Sequence, residues 1–129
     1  MEYNYIKPLK EQEIIRKFFD KNHAVLPEYF EKYFEKYNGS RPSLNLFILE
    51  NGEEKVLNTF LSFNEEDKEN VFKAKRRVTE DNNEIIPFAN DPAGNYFCLK
   101  KEKVVFYSHE SGEIYPAADS FENFINKLQ

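Results

Sequence analysis

The stretch IIPFANDPAGNYFCL, residues 85–99, decides the fold because two apolar runs flank a short polar turn. The first run ends at Asp91, and the Asp-Pro-Ala-Gly sequence that closes on Gly94 has the pattern of a type I β-turn. An Asp at the first turn position can accept hydrogen bonds from the turn's own backbone. Asn90 and Asn95 fall at the two strand ends. The stretch therefore predicts an antiparallel hairpin with three polar side chains at its turn.

Further strands are predicted where β-branched and aromatic residues alternate with turn residues. They cover residues 43–49, 55–63, 84–89, 95–100, 103–109 and 113–118. The Asn51-Gly52 pair predicts a hairpin between the first two of these strands. Since most of the connections are short, the strands are expected to form a mainly antiparallel sheet.

Four helices are predicted from apolar residues that recur at helical spacing. They cover residues 8–22, 27–39, 67–78 and 119–129, the third of them at the surface. The second carries an aromatic stripe whose spacing is typical of a face packed on a sheet. With helices covering one face of the sheet, the pattern predicts a single α+β domain over residues 1–129, without repeats or linkers.

Cysteine and histidine usage limits the chemistry. Cys98 is the one cysteine among 129 residues, so no internal disulfide forms, and a reducing compartment is indicated. Together with two histidines, it cannot supply an ordinary structural zinc site. The first residues do not resemble a signal peptide, and no apolar run approaches the roughly 20 residues of a membrane span. We therefore expect a cytoplasmic protein without metal or other cofactor.

The charge balance favours a protein partner over a nucleic acid. The chain has 23 acidic and 18 basic residues, which gives a net charge of −5. Its compact basic cluster, residues 73–77, follows an acidic segment, residues 64–70, and this order is typical of a solvated helix. Nucleic-acid binders usually show a basic footprint, whereas a mildly acidic surface suits a basic protein.

The residues give no positive support for an enzyme. Cys98 and His109 are the candidate nucleophile and base, but Cys98 lies inside a strand, where a lone cysteine usually serves packing. The carboxylates of Glu65, Glu66 and their neighbours fall in a solvated segment, which does not separate two pKa values as acid–base catalysis requires. Phosphate-loop, nucleophile-elbow and zinc-protease motifs are absent from the sequence.

Four segments in this order resemble the SUKH superfamily, which is named after the yeast Smi and Knr cell-wall regulators. They are LPEYFEKYFEKYNG, IIPFANDPAGNYFCL, VVFYSHESGEI and SFENFINKL, which together extend from residue 26 to residue 128. Ser40 stands where the family often has a second glycine. The resemblance implies an α+β domain with helices packed on a central sheet, without catalysis. Many bacterial members are immunity proteins that bind and neutralise a cognate toxin, often a nuclease.

The resemblance also implies a role for the hairpin. Asn90, Asp91 and Asn95, with His109 and Glu110 on a neighbouring turn, are the predicted partner-binding residues. Their acceptor groups would face the basic site of a toxin and mimic its phosphate substrate.

Residues 65–69 are an alternative binding surface. An intracellular scaffold or regulatory domain, as in the fungal relatives, is the alternative function. The oligomeric state is left open.

Overall fold

The hairpin predicted at residues 85–99 lies in the middle of a five-stranded antiparallel sheet. The structure is a computed structural model that describes residues 1–80 and 82–129. The strands are β1 (Tyr3–Asn4), β2 (Arg41–Pro42), β3 (Leu46–Ile48), β4 (Glu54–Val56), β5 (Thr59–Phe60), β6 (Ile85–Asn90), β7 (Tyr96–Lys100), β8 (Lys103–Tyr107) and β9 (Ile114–Ala118). The helices are α1 (Ile14–Lys21), α2 (Glu28–Tyr37), α3 (Val71–Thr79) and α4 (Phe121–Asn126). The predicted α+β class is confirmed.

The five strands follow one another in chain order, from β5 to β9, and every neighbouring pair is antiparallel. The register between β6 and β7 shifts between Pro87 and Ala89. Two smaller antiparallel pairs, β1 with β2 and β3 with β4, lie outside this sheet. Because β6 to β9 are joined by short turns, the turns that precede β7 and β9 lie at the same end of the sheet.

Helices cover both faces of the sheet, so the expectation of one covered face is wrong. Every residue of β6 is buried, and successive strand residues point to opposite faces. On one face Phe88 packs against Phe30 of α2 and Phe121 of α4. On the other face α3 contacts β7, where Arg77 donates a hydrogen bond to the Tyr96 hydroxyl at 2.8 Å.

The aromatic stripe of α2 packs in the core, as its spacing predicts. Phe30, Tyr33 and Phe34 are buried, and their rings contact Phe121 of α4. Tyr29, at the edge of the stripe, is 40% exposed. Burial of phenylalanine and tyrosine rings therefore contributes much of the stability of the core.

Three predicted boundaries are wrong, the first two because tertiary contacts override the local pattern and the third because of a helix cap. The first helix begins at Ile14 instead of residue 8, since Asn64 holds the preceding segment by bonds to Lys10 N–H and the Pro8 carbonyl. The predicted strand over residues 55–63 is divided between β4 and β5, which belong to different sheets. The third helix begins at Val71 instead of residue 67, because Asn70 caps it.

Candidate partner-binding surface

The turn between β6 and β7 is built around the carboxylate of Asp91. Its Oδ1 accepts hydrogen bonds from the backbone N–H groups of Ala93 at 3.0 Å and Asn95 at 2.8 Å. Its Oδ2 accepts from Asn95 Nδ2 at 3.1 Å. The Asp91 carbonyl accepts from Gly94 N–H at 3.3 Å, which closes the predicted β-turn. Gly94 has a φ of +87°, a conformation that favours glycine.

Asn90, the last residue of β6, connects the sheet to the segment before α3. Its Oδ1 accepts from Thr59 N–H at 3.1 Å, and its Nδ2 donates to Glu69 Oε2 at 3.0 Å. The residue is 8% exposed. The side chain of Asn90 therefore holds β5 and Glu69 beside the end of β6.

Asn95 joins two turns. Its Oδ1 accepts a hydrogen bond from His109 N–H at 3.0 Å, so the turn after β6 lies beside the turn after β8. The side chains of His109 and Glu110 are exposed at this place. The structure therefore brings all five predicted residues to one end of the sheet.

The five residues divide into two groups by where their side chains are used. Asn90, Asp91 and Asn95 direct hydrogen bonds to their own chain, as described above. His109 and Glu110 provide the exposed groups of this surface. Its role in binding a partner stays a prediction.

The acidic segment of residues 65–69 is largely paired within the chain. Asp67 Oδ2 accepts from Ser62 Oγ at 2.6 Å and from Asn64 Nδ2 at 3.1 Å. Glu66 pairs with Lys10, and this hydrogen bond lowers the pKa of the Glu66 carboxyl. These contacts attach the segment to the N-terminal residues and to Asn90.

Cys98 and His109 do not form a catalytic pair. Cys98 is fully buried in β7, opposite Val105, and burial raises the pKa of its thiol well above the ordinary value. His109 lies four residues beyond Val105, roughly 13 Å along an extended chain. Neither the distance nor the protonation state of the thiol suits nucleophilic attack.

Two adjoining cavities form a feature that the sequence patterns did not predict. We call it the basic groove, defined by Lys7, Arg41, Lys68, Lys73 and Arg77. The larger cavity has a volume of about 480 Å³ and the smaller about 170 Å³. Lys7, Arg41 and Lys68 come from separate segments, whereas Lys73 and Arg77 both lie on α3, and only the cluster at residues 73–77 gave a signal in the sequence.

Residues 1–80 and 82–129 contain neither a cluster of metal ligands nor a membrane-spanning helix. Within these ranges, no three His, Cys, Asp or Glu side chains are grouped closely enough to hold a metal ion. The same residues contain no helix that is long and apolar enough to span a membrane.

Comparison with known proteins identifies the family. A search of curated proteins gave no significant match. The family model described as SMI1/KNR4 family (SUKH-1) matches residues 8–127, from the segment before α1 to the end of α4. This range contains the whole five-stranded sheet and all four helices. The chain therefore belongs to the SMI1/KNR4 family (SUKH-1).

Proposed function

We propose that this protein is a non-catalytic immunity protein that binds and neutralises a cognate toxin domain, a nuclease, in the cytoplasm. The family match over residues 8–127 carries the proposal, because members of the family are generally non-catalytic immunity proteins. The buried, protonated thiol of Cys98 agrees with a protein that acts by binding.

The surface proposed for toxin binding is the sheet end that carries His109 and Glu110. The hydrogen bonds of Asp91 and Asn95 hold its two turns in fixed positions. A rigid surface loses little conformational entropy when it binds. A toxin that cleaves nucleic acid must be positively charged where it contacts phosphate. The exposed carboxylate of Glu110 and the net charge of −5 suit such a site.

The first experiment is a pull-down from the native cell, with the tagged full-length chain as bait. We expect one stoichiometric partner with a basic toxic domain, and we expect co-expression of this chain to protect cells from that domain. Recovery of several endogenous proteins, without protection, would contradict the immunity role and support a scaffold of the Smi/Knr type.

A charge reversal then tests the surface. Glu110→Lys should weaken toxin binding about tenfold or more, because it places like charges against each other at the interface. Glu102→Lys is the matched control, since Glu102 is exposed on the turn at the opposite end of the sheet. Asp91→Lys is unsuitable because it would also disrupt the turn.

Equal affinity of the Glu110→Lys variant and the unmodified chain would exclude this surface while leaving the immunity role in place. Charge reversal at Glu65, which is exposed in the acidic segment, would then test the alternative surface.

A further inference from the structure

We propose that the basic groove binds a small ligand that carries two adjacent phosphate groups. The site goes beyond the proposed toxin binding and does not depend on it. The proposal rests on the charge, the shape and the unused hydrogen-bonding capacity of the two cavities.

Three cations line the larger cavity without a carboxylate partner. Lys7, Arg41 and Lys68 form no ion pair within the described part of the chain, although the protein has more acidic than basic residues. The guanidinium of Arg41 lies 5.8 Å from the centre of the Tyr5 ring, at the same cavity. Glu69 is the one carboxylate that lines this cavity in the described chain, so the three cations share a single counter-charge. Their remaining mutual repulsion is removed when an anion binds.

The wall of the larger cavity contains a hydroxyl without a partner. Thr59 lines this cavity and is 6% exposed, and its Oγ1 is the one buried side-chain polar atom without a hydrogen bond in residues 1–80 and 82–129. Buried polar groups are normally satisfied. A rotation of about 120° about χ1 moves the hydroxyl into another staggered position, where an oxygen of a bound anion would accept its hydrogen bond.

Gly39 positions Lys7 at the cavity. Its φ of +70° favours glycine, and a Cβ at this position would lie 2.7 Å from Lys7 Cγ. The aliphatic part of Lys7 therefore lies directly on the Gly39 backbone. This contact restricts a side chain that is otherwise exposed.

The smaller cavity extends the positive charge toward α3. Lys68 and Glu69 line both cavities, and Lys73 and Arg77 line the smaller one. Arg77 also donates to the Tyr96 hydroxyl, which fixes its guanidinium. Two cavities that share Lys68 suit two phosphate groups that are covalently close.

The groove favours a compact phosphate ligand over other anions. Three cations around one cavity match a phosphate, whose charge is near −2, better than a single carboxylate. A long nucleic acid would extend beyond the groove onto acidic surface, which repels phosphate, since Glu65 and Glu66 are exposed beside Lys68. The larger cavity falls within the range of small-ligand pockets, about 300–1,000 Å³. Glu69 is the one carboxylate that lines the groove in the described chain, and Asn90 Nδ2 holds its Oε2.

Isothermal titration of the full chain with inorganic pyrophosphate tests the proposal. Lys68→Gln should weaken binding about tenfold, because it removes one charge-assisted contact from both cavities. Glu69→Gln should bind more tightly, since it removes the carboxylate and keeps the acceptor for Asn90. Lys32→Gln, a cation outside the groove that pairs with Glu28, should leave the affinity unchanged. Thermal unfolding checks that each variant is folded.

Three results would overturn the proposal. They are absence of pyrophosphate binding at millimolar concentration, equal affinity of the Lys68→Gln variant, and equally tight, Lys68-dependent binding of citrate or of an acidic peptide. Inorganic phosphate should bind more weakly than pyrophosphate, and equal affinities would contradict the assignment of two phosphate groups.

Discussion

Asp91 shows how one side chain can fix a turn and thereby the surface built on it. Its carboxylate accepts three hydrogen bonds and the residue is buried to about nine-tenths. Asp91→Ala should lower the free energy of unfolding by about 2–3 kcal/mol, because hydrogen bonds to charged groups contribute about 1.5–3 kcal/mol each and partial rehydration compensates for some of the loss. Urea denaturation measures the change.

The isosteric variant separates hydrogen bonding from side-chain volume. Asp91→Asn should lose less stability than Asp91→Ala, because the amide oxygen can still accept from both backbone N–H groups. An equal loss in the two variants would show that the charge, and not the bonding pattern, stabilises the turn.

Cys98 gives the protein a defined alkaline pH dependence. Because burial raises the pKa of the folded thiol, the thiol stays protonated in the native state while it ionises in the unfolded chain above pH ~8.5. The unfolded state then binds fewer protons, so stability falls as pH rises, by about 1.4 kcal/mol per pH unit for this group. Below pH ~8.5 the contribution of Cys98 is independent of pH.

The measurement compares the unmodified protein with Cys98→Ala in denaturant at several pH values from 7 to 10. The stability advantage of the unmodified protein over this variant should be constant near neutral pH and shrink above pH ~8.5, with the slope given above. A difference that stays constant up to pH 10 would show that Cys98 ionises equally in both states.

At the scale of elements, the side chains that cap α3 and α4 differ in how many backbone groups they hydrogen-bond. Asn70 Oδ1 accepts from Lys73 N–H at 2.9 Å, and its Nδ2 donates to the carbonyls of Glu65 and Asp67. Ser120, which caps α4, accepts only from Asn123 N–H in the part of the chain described here. Asn70 therefore holds both the start of α3 and the loop before it.

Replacement of these caps should show the difference. Ser120→Ala should cost about 1 kcal/mol, a typical value for the loss of a cap, and Asn70→Ala should cost about 2–3 kcal/mol because two further hydrogen bonds are lost. Chemical denaturation of both variants measures the costs. Asn70→Asp keeps the cap acceptor and removes the donors, so an intermediate loss is expected. Equal losses for the two alanine variants would contradict this account.

The elements that the sequence predicts well are those set by neighbouring residues. The hairpin at residues 85–99 and the helix that follows Ser120 depend on local turn and cap chemistry. The division of residues 55–63 into β4 and β5 depends on distant partners, since β4 pairs with β3 and β5 pairs with Asn90 and Ala89 of β6. A continuous apolar run does not indicate where a chain passes from one sheet to another.

The same distinction applies to the candidate sites. The two turns that carry Asp91 and His109 can be recognised from their local sequence, and the resemblance to the family predicts that they are neighbours. Lys7, Arg41 and Lys68 are isolated cations in the sequence, and only the fold makes them neighbours. The inward direction of the Asn90 side chain likewise depends on Thr59 and Glu69, which precede it by more than twenty residues.

At the scale of the whole molecule, Phe121 connects the layers. Its ring contacts α2 through Phe30 and Phe34 and the central sheet through Phe88. Phe121→Ala should lower the free energy of unfolding by about 3–5 kcal/mol, since a buried ring is lost and a cavity remains. Phe121→Leu should cost less because it fills more of the cavity. Far-ultraviolet circular dichroism and tyrosine fluorescence, followed in the same denaturant series, measure the change.

If the layers unfold as one unit, both signals should change at the same denaturant concentration in the unmodified protein and in Phe121→Leu. Separate transitions in the unmodified protein would show that the helices and the sheet are independently stable, and would contradict the connecting role of Phe121.

The β3–β4 hairpin has a practical consequence for labelling. Its tip at Asn51 and Gly52 is exposed, and a Cβ at Gly52 would meet no atom within 4 Å. The hairpin is a separate two-stranded sheet, so added residues at the tip leave the register of β5 on β6 unchanged. Loop closure becomes more costly by only about 0.6 kcal/mol for each doubling of loop length. A fluorophore or affinity peptide inserted there would therefore label the chain without disturbing the five-stranded sheet.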